Sequence, residues 1–110
     1  MGNPLSIDGC SLTIQDVVDV ARHERTVCLD VDARSRMEDS YAWVKKACVQ
    51  DQPVYGVNTG FGSLARVKID PINSARLSLN LIRSHAAGVG PLLPVPEIRA
   101  MMLLRANALA

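Results

Sequence analysis

The C-terminal run from Pro94 to Ala110 constrains the fold of this chain more than any other segment. It has the composition of a helix, but apolar residues occupy every side of that helix and few polar side chains interrupt them. A helix of this kind is buried inside a larger body, and a single domain of 110 residues is too small to surround it. The apolar members are Ile98, Met101, Met102, Leu103, Leu104 and Leu109, and the polar ones are Glu97, Arg99, Arg105 and Asn107.

No glycine, proline or terminal basic cluster marks an end to this helix before Ala110. We therefore expect the chain to be a fragment of a longer protein. A helix that frays at a natural C-terminus is the alternative.

The rest of the sequence is typical of one globular domain spanning residues 1–110. Lys and Arg total 12 against 11 for Asp and Glu, a net charge of +1, and aromatic residues make up only 4%. A net charge of +1 is too small to attract the phosphate backbone of a nucleic acid, and the aromatic rings are too few to form a base-stacking surface. Nucleic acid is therefore not an expected partner.

The cysteines and the N-terminus indicate the compartment. Cys10, Cys28 and Cys48 are odd in number, widely spaced and without a Cys-x-x-Cys pair, which argues against a disulfide framework and a zinc knuckle. His23-Glu24 lacks the second histidine of a zinc-protease motif. The N-terminus has no signal-peptide pattern, and no stretch reaches the roughly 18 apolar residues of a membrane span. We expect a cytoplasmic protein with no membrane association and no metal site.

Local signals predict a mainly α-helical fold with short β elements near the N-terminus. Residues 5–8 form one short extended piece, closed by an Asp-Gly turn, and residues 26–30 a second. Thr13 and Asp16 have the spacing of a capping box for a helix over about 14–23.

Two more helices follow before the C-terminal one. The second begins at Asp32, runs for about 16 residues and stops before Pro53, because the residue before a proline is pushed out of the α region. Asp70-Pro71 begins the third, which should end near Gly88 or Gly90. The residues predicted to face inward are Ile14, Val17, Val18 and Ala21 on the first helix, Ala33, Met37, Tyr41, Val44 and Cys48 on the second, and Ile72, Ala75, Leu77, Leu79, Leu81 and Ile82 on the third.

The segment 54–64 is rich in glycine and carries Tyr55. Such a loop adopts positive φ and brings backbone close to a small ligand, but it lacks the order of a Walker or dinucleotide-binding loop. A tyrosine next to glycines can be held rigidly while its oxygen projects into a cavity, and to act as a base it needs cationic or hydrogen-bonding neighbours that lower the ordinary phenol pKa of about 10. A tyrosine that closes the edge of the core is the alternative.

Ser84-His85 lies at the end of the third helix, before the small residues 86–88. The helix dipole favours an imidazolium there, and the small residues leave open volume beside it. From its position alone, a histidine that caps the helix is the alternative. A Ser-His-Asp triad cannot be argued, since two histidines and many hydroxyls satisfy that pattern by chance.

Three runs resemble the amino-terminal part of the aromatic amino acid ammonia-lyases, most closely the histidine ammonia-lyases among them. They are Tyr-Gly-Val-Asn-Thr-Gly-Phe-Gly at 55–62, Asn-Leu-Ile-Arg-Ser-His-Ala-Ala-Gly-Val-Gly at 80–90 and Leu-Arg-Ala-Asn-Ala-Leu-Ala at 104–110. Their order and separation agree with the family. The resemblance is specific in the first two runs and weak over the first 50 residues.

The resemblance implies that Tyr55 is the base for the β-proton of an aromatic amino acid. The family's electrophile is a methylidene-imidazolone (MIO), formed from an internal Ala-Ser-Gly, which turns the substrate amine into a leaving group. Gly62 corresponds to backbone that shapes the pocket, and Ser84-His85 corresponds to the pair that selects the substrate. Ser-His occurs in histidine lyases and in bacterial tyrosine aminomutases, and a polar pair suits an imidazole or phenol better than a bare phenyl. We therefore expect elimination of ammonia from L-histidine to give urocanate, with a tyrosine or phenylalanine lyase or an aminomutase as the alternative.

One departure from the family limits what this chain does alone. No Ala-Ser-Gly occurs in its 110 residues, so the chain does not encode the MIO. By the resemblance, the fold is the amino-terminal domain of the ammonia-lyase helical fold, without the central helical bundle that completes the pocket in a homotetramer. We expect an inactive fragment of an active enzyme. The remaining alternative is a non-catalytic helical module that self-associates through its last helix.

Overall fold

The computed structural model describes residues 2–110 as four α-helices and two short strands. Short 3-10 turns at Gly62–Leu64 and Pro71–Asn73 lie between the second and third helices. The predicted fold class, mainly α with short β elements near the N-terminus, is confirmed. In chain order the elements are β1 (Leu5–Ile7), α1 (Ile14–His23), β2 (Val27–Leu29), α2 (Val31–Val49), α3 (Ser74–His85) and α4 (Val95–Asn107).

The chain divides into two compact units. The first contains the residues up to Asp39 together with Pro91–Ala110, and the second is Ser40–Gly90. Helix α2 therefore contributes its first half to one unit and its second half to the other. Within residues 2–110, no helix is both long and apolar enough to cross a membrane.

The first unit is built on a parallel strand pair. β1 and β2 align with Leu5 opposite Val27, and α1 provides the crossover that a parallel pair requires. Helix α4 packs against α1, where Arg99 Nε donates a hydrogen bond to the Val20 carbonyl at 2.9 Å. The buried core lies between these elements and comprises Leu5, Ile7, Val20 and Leu103.

The predicted side-chain caps at Thr13 and Asp70 are both present, but only α1 begins where its cap predicts: Asp70 caps the 3-10 turn Pro71–Asn73, and α3 begins at Ser74. The Thr13 side chain accepts from the Asp16 backbone, and the Asp16 carboxylate accepts from the Thr13 backbone in return. The Asp70 side chain likewise accepts from the Ile72 backbone ahead of α3. α1 occupies the predicted range, whereas α3 ends at His85, short of the predicted glycines.

The inward faces predicted for α1 and α2 are correct only in part. Ile14 is exposed, since it is the first residue of α1, and Val20 is buried in its place. On α2 the small residues Ala33 and Ala47 are buried near its two ends, whereas Met37 and Tyr41 are exposed. Met37 belongs to the first unit and Tyr41 to the second.

The inward face predicted for α3 is wrong for this chain on its own. Leu77 and Leu81 are half-buried, but the predicted core residues beside them are exposed: Ile72, Ala75, Leu79 and Ile82. On α4, Leu103 alone is buried, and the other large apolar side chains are exposed: Val95, Ile98, Met101, Met102 and Leu104. Both helices thus present apolar faces that residues 2–110 do not cover.

Candidate active site

The loop that follows α2 has its shape set by glycine. Gly56 and Gly62 adopt φ of +74° and +56°, which residues with a Cβ rarely adopt. Gly60 meets a different constraint: a Cβ there would lie 2.6 Å from Leu64 Cβ and 2.8 Å from the Leu64 carbonyl oxygen. Gly60, whose specific role sequence reasoning missed, is therefore a position where the loop backbone lies too close to Leu64 for a side chain.

Tyr55 projects from this loop with 64% of its surface exposed. Its ring packs edge-on against Phe61, with 6.0 Å between the ring centroids and an interplanar angle of 76°. In this chain the side chain does not close the edge of a core. A ring braced on one side and open on the other leaves its hydroxyl accessible to a small molecule.

Two buried polar residues organise the loop behind Tyr55, and sequence reasoning missed both. Asn58 is 3% exposed and Thr59 is fully buried. Asn58 Oδ1 accepts from the Val54 backbone at 2.7 Å, and Thr59 Oγ1 accepts from the Gly56 backbone at 3.3 Å. The sequence feature that could have revealed them is the presence of two hydrogen-bonding side chains inside a glycine-rich run.

The rest of the loop is closed by backbone hydrogen bonds. The Ile69 amide donates to the Asn58 carbonyl at 2.8 Å, and the Gly60 amide donates to the Val67 carbonyl at 3.0 Å. Outside the loop, Lys68 Nζ lies 2.7 Å from Asp51 Oδ1, and its hydrogen bond and charge lower the pKa of that exposed carboxyl. The chain after the loop therefore folds back along it, with residues 67–69 bonded to residues 58–60.

Ser84 and His85 lie together at the end of α3. Both Ser84 Oγ and His85 Nδ1 are 2.9 Å from the Leu81 carbonyl oxygen, and they are 3.0 Å from each other. A carbonyl oxygen only accepts, so we assign the hydrogen of the neutral ring to Nδ1. In this neutral tautomer His85 Nε2 is an acceptor, whereas in an imidazolium both ring nitrogens would donate. The histidine is exposed.

The site residues predicted from sequence all lie in the second unit. Ser84 contacts His85, and the Tyr55 ring contacts Phe61. Among residues 2–110, no hydrogen bond, ion pair or ring contact joins Tyr55 to the end of α3. Gly62 is exposed, and a Cβ there would meet open space. The same described residues contain no cluster of His, Cys, Asp and Glu that would hold a metal ion.

Comparison with known proteins identifies relatives over nearly the whole chain. The family model described as aromatic amino acid lyase matches residues 12–110. The chain is 51% identical over 104 residues to a histidine ammonia-lyase from Myxococcus xanthus, covering 94% of this chain and 20% of that protein. It is 44% identical over 109 residues to a histidine ammonia-lyase from Streptococcus gordonii, covering 99% and 21% respectively. The chain thus spans about a fifth of the length of the curated relatives it matches.

Solved structures have the same fold over this segment. An ergothioneine-degrading enzyme, ergothionase, from Treponema denticola matches with a TM-score of 0.91 and 34% identity, over 97% of this chain and 22% of that one. A tyrosine aminomutase from Streptomyces globisporus matches with a TM-score of 0.85 and 34% identity, over 96% and 21%.

Proposed function

The chain belongs to the aromatic amino acid lyase family, and on that premise we propose that it is the amino-terminal domain of an enzyme that converts L-histidine into urocanate and ammonia. Its high identity to histidine ammonia-lyases supports this choice of substrate. Because the chain spans about a fifth of those relatives, the activity belongs to the longer protein. The isolated 110 residues are expected to be inactive.

Tyr55 is proposed as the general base of this reaction. A base removes a proton from the β-carbon of the substrate, the electron pair of that C–H bond forms the Cα–Cβ double bond, and the Cα–N bond breaks to release ammonia. The observation that carries this role is the exposed phenol held on a loop with a buried polar framework. A fixed backbone with an accessible oxygen is what positioning a base requires.

The family is MIO-dependent, and the residues of this chain do not supply that group. No Ala-Ser-Gly occurs in the sequence, and the serine of such a tripeptide is the source of the methylidene carbon. In the whole enzyme the MIO would be the electrophile that makes the amine a leaving group. The contribution of the present chain is limited to proton removal and substrate positioning.

Ser84 and His85 are proposed to bind the substrate side chain. With the hydrogen on Nδ1 directed to the Leu81 carbonyl, His85 Nε2 is free to accept a hydrogen bond. An imidazole N–H or a phenol O–H provides that donor, and a phenyl ring does not. His85 is exposed in this chain, but once the whole enzyme and a bound substrate enclose Nε2, leaving that acceptor unpaired would cost about 1–3 kcal/mol. The pair would then favour histidine or tyrosine over phenylalanine. Gly62 is proposed to shape the same pocket through its backbone.

Tyr55→Phe in the whole enzyme tests the base. We expect turnover of histidine to fall by about 10²–10⁴-fold, the usual contribution of a positioned acid or base. Tyr41→Phe is the matched control, because Tyr41 is also exposed but lies on α2 outside the loop. Near-normal turnover by Tyr55→Phe would remove the assignment.

A product assay tests the substrate. The whole enzyme is incubated with histidine, tyrosine and phenylalanine in turn, and urocanate is followed by its absorbance. Urocanate from histidine supports the proposal. A tyrosine or phenylalanine ammonia-lyase, or an aminomutase that yields a β-amino acid, is the alternative, favoured by the structural similarity to a tyrosine aminomutase.

The exposed face of α4 supports a second proposal, that this chain self-associates. Four large side chains along one short helix lie open to solvent: Ile98, Met101, Met102 and Leu104. Exposed apolar surface of this kind favours association.

We propose that the whole enzyme is a cytoplasmic homotetramer in which this face is covered. Sedimentation of the 110-residue chain at micromolar concentration should show a dimer or larger species, and a well-folded monomer would contradict self-association.

A further inference from the structure

We propose that Asn58 is a positioning residue for Tyr55, an inference that rests on the proposed role of Tyr55 as the base. Asn58 and Thr59 are the buried polar residues of the part of the chain that the structure describes. Both lie within four residues of Tyr55 in sequence. Neither is used by the chemistry proposed above, so their burial calls for a separate explanation.

The Asn58 side chain connects the end of α2 to the peptide in front of Tyr55. Its Nδ2 lies 3.0 Å from the Ala47 carbonyl oxygen and 2.9 Å from that of Gln52, with the Gln50 carbonyl oxygen farther away at 3.5 Å. Its Oδ1 accepts from the Val54 amide at 2.7 Å. One planar group therefore ties the last turn of a long helix to the amide of Val54, the residue before Tyr55.

Thr59 holds the amide on the other side. Its hydroxyl accepts from the Gly56 amide at 3.3 Å and donates to the Gly60 carbonyl at 3.0 Å. The Val54 carbonyl in turn accepts from the amides of Val57 and Asn58, at 3.0 and 3.2 Å. The backbone on both sides of Tyr55 is thus fixed by hydrogen bonds to groups within a few residues of it.

This arrangement explains how an exposed side chain is held in one position. A loop residue with 64% of its surface exposed gains little from packing, so its backbone must be fixed by other means. Asparagine suits this position because the site needs one acceptor and two donors in a single planar group. Alanine would leave the Val54 amide and the carbonyls of Ala47 and Gln52 without these bonds.

The test is a double-mutant cycle in the whole enzyme. A misplacement of about 1 Å at a reacting group costs on the order of 100-fold in rate, so Asn58→Ala should lower kcat by about 10- to 100-fold and change KM much less. In the Tyr55→Phe background, the same substitution should change turnover by less than about threefold, because the group it positions is gone. Asn73→Ala is the matched control, since Asn73 is exposed and caps no helix with its side chain.

Each outcome decides a different claim. An equal loss from Asn58→Ala in both backgrounds, or no loss in either, overturns the positioning role and leaves Tyr55 as the base. Near-normal turnover by Tyr55→Phe overturns the base and the positioning role together. If circular dichroism shows that Asn58→Ala does not fold, Thr59→Val tests the loop framework to which both residues belong: the change replaces the Thr59 hydroxyl with a methyl group and should lower kcat in the Tyr55 enzyme but not in Tyr55→Phe. An equal loss in both backgrounds, or no loss in either, overturns the positioning role.

Discussion

Gly60→Ala is expected to destabilise the second unit by steric overlap alone. The added methyl would lie 2.6 Å from Leu64 Cβ and 2.8 Å from the Leu64 carbonyl oxygen, whereas non-bonded carbons rest about 3.5–4.0 Å apart. Both Leu64 atoms belong to or adjoin the backbone, so no flexible side chain can move aside. Overpacking of this kind typically costs about 1–3 kcal/mol of unfolding free energy.

Urea unfolding of the 110-residue chain measures this loss. Trp43, the single tryptophan, lies in the same unit as Gly60, so its fluorescence reports on that unit. At a slope of roughly 1–2 kcal/mol per molar urea, a loss of about 2 kcal/mol moves the midpoint by about 1–2 M. Gly88→Ala is the control, because a Cβ there meets nothing within 4 Å and its φ is not positive. It should be neutral or slightly stabilising.

A second pair of variants separates overlap from backbone strain. Gly62 has open space around it but a φ of +56°, so Gly62→Ala costs about 1–2 kcal/mol through conformation only. Asparagine tolerates this conformation, and Gly62→Asn should recover part of the loss. At Gly60 the larger asparagine should be at least as harmful as alanine. The reasoning is wrong if Gly60→Ala unfolds at the same urea concentration as Gly88→Ala, or if Gly60→Asn is the milder change.

Two further predictions concern the first unit, and both are measured by urea unfolding with far-ultraviolet circular dichroism. Thr13→Ala removes the capping box of α1 and should cost about 1 kcal/mol, while Thr13→Ser should retain most of the stability. The Ser11 and Cys10 amides donate to the Asp8 carboxylate and hold its pKa well below the usual range. The ionised carboxylate therefore stabilises the folded chain above the unfolded pKa of about 3.9, and this stabilisation is lost as the pH falls toward the folded pKa. The parent chain should therefore exceed Asp8→Asn in stability at pH 6 by a margin that shrinks as the pH is lowered from 4 to 2, and a constant margin would contradict this.

The features predicted correctly from sequence are those that depend on adjacent residues. The capping box of Thr13 and Asp16 and the Asp70-Pro71 helix start need only the spacing of a donor and an acceptor along the chain. The strand at residues 5–7 is likewise delimited by its own turn. The caps and the turn form from neighbouring residues, so the sequence is sufficient to predict them, whereas the strand at residues 5–7 also needs β2 beside it.

The organisation of the loop was predicted less completely, for a physical reason. Asparagine among glycines is typical of a turn, where its side chain bonds to its own backbone neighbourhood. The partners of Asn58 instead include Ala47, 11 residues earlier at the end of α2. The sequence places no limit on how α2 and the loop approach each other. The role of Asn58 therefore required the structure.

The sequence predicts that the apolar faces of α3 and α4 are buried, but most of their large side chains are exposed. This difference affects the candidate site. Periodicity identifies which side of a helix avoids water, but burial also requires a surface to pack against. Within residues 2–110, the apolar face of α3 has no such surface, and α3 is the helix that ends in Ser84 and His85. The Asn58 network, by contrast, uses only groups from Ala47 to Gly60 and is complete in this chain. The backbone on both sides of Tyr55 is therefore fixed by local groups, whereas a pocket at His85, as proposed above, requires a surface that packs against α3. The structural effect of a substitution at Tyr55 or Asn58 is therefore interpretable from this chain, whereas its effect on turnover, like that of any substitution at His85, is measured in the whole enzyme.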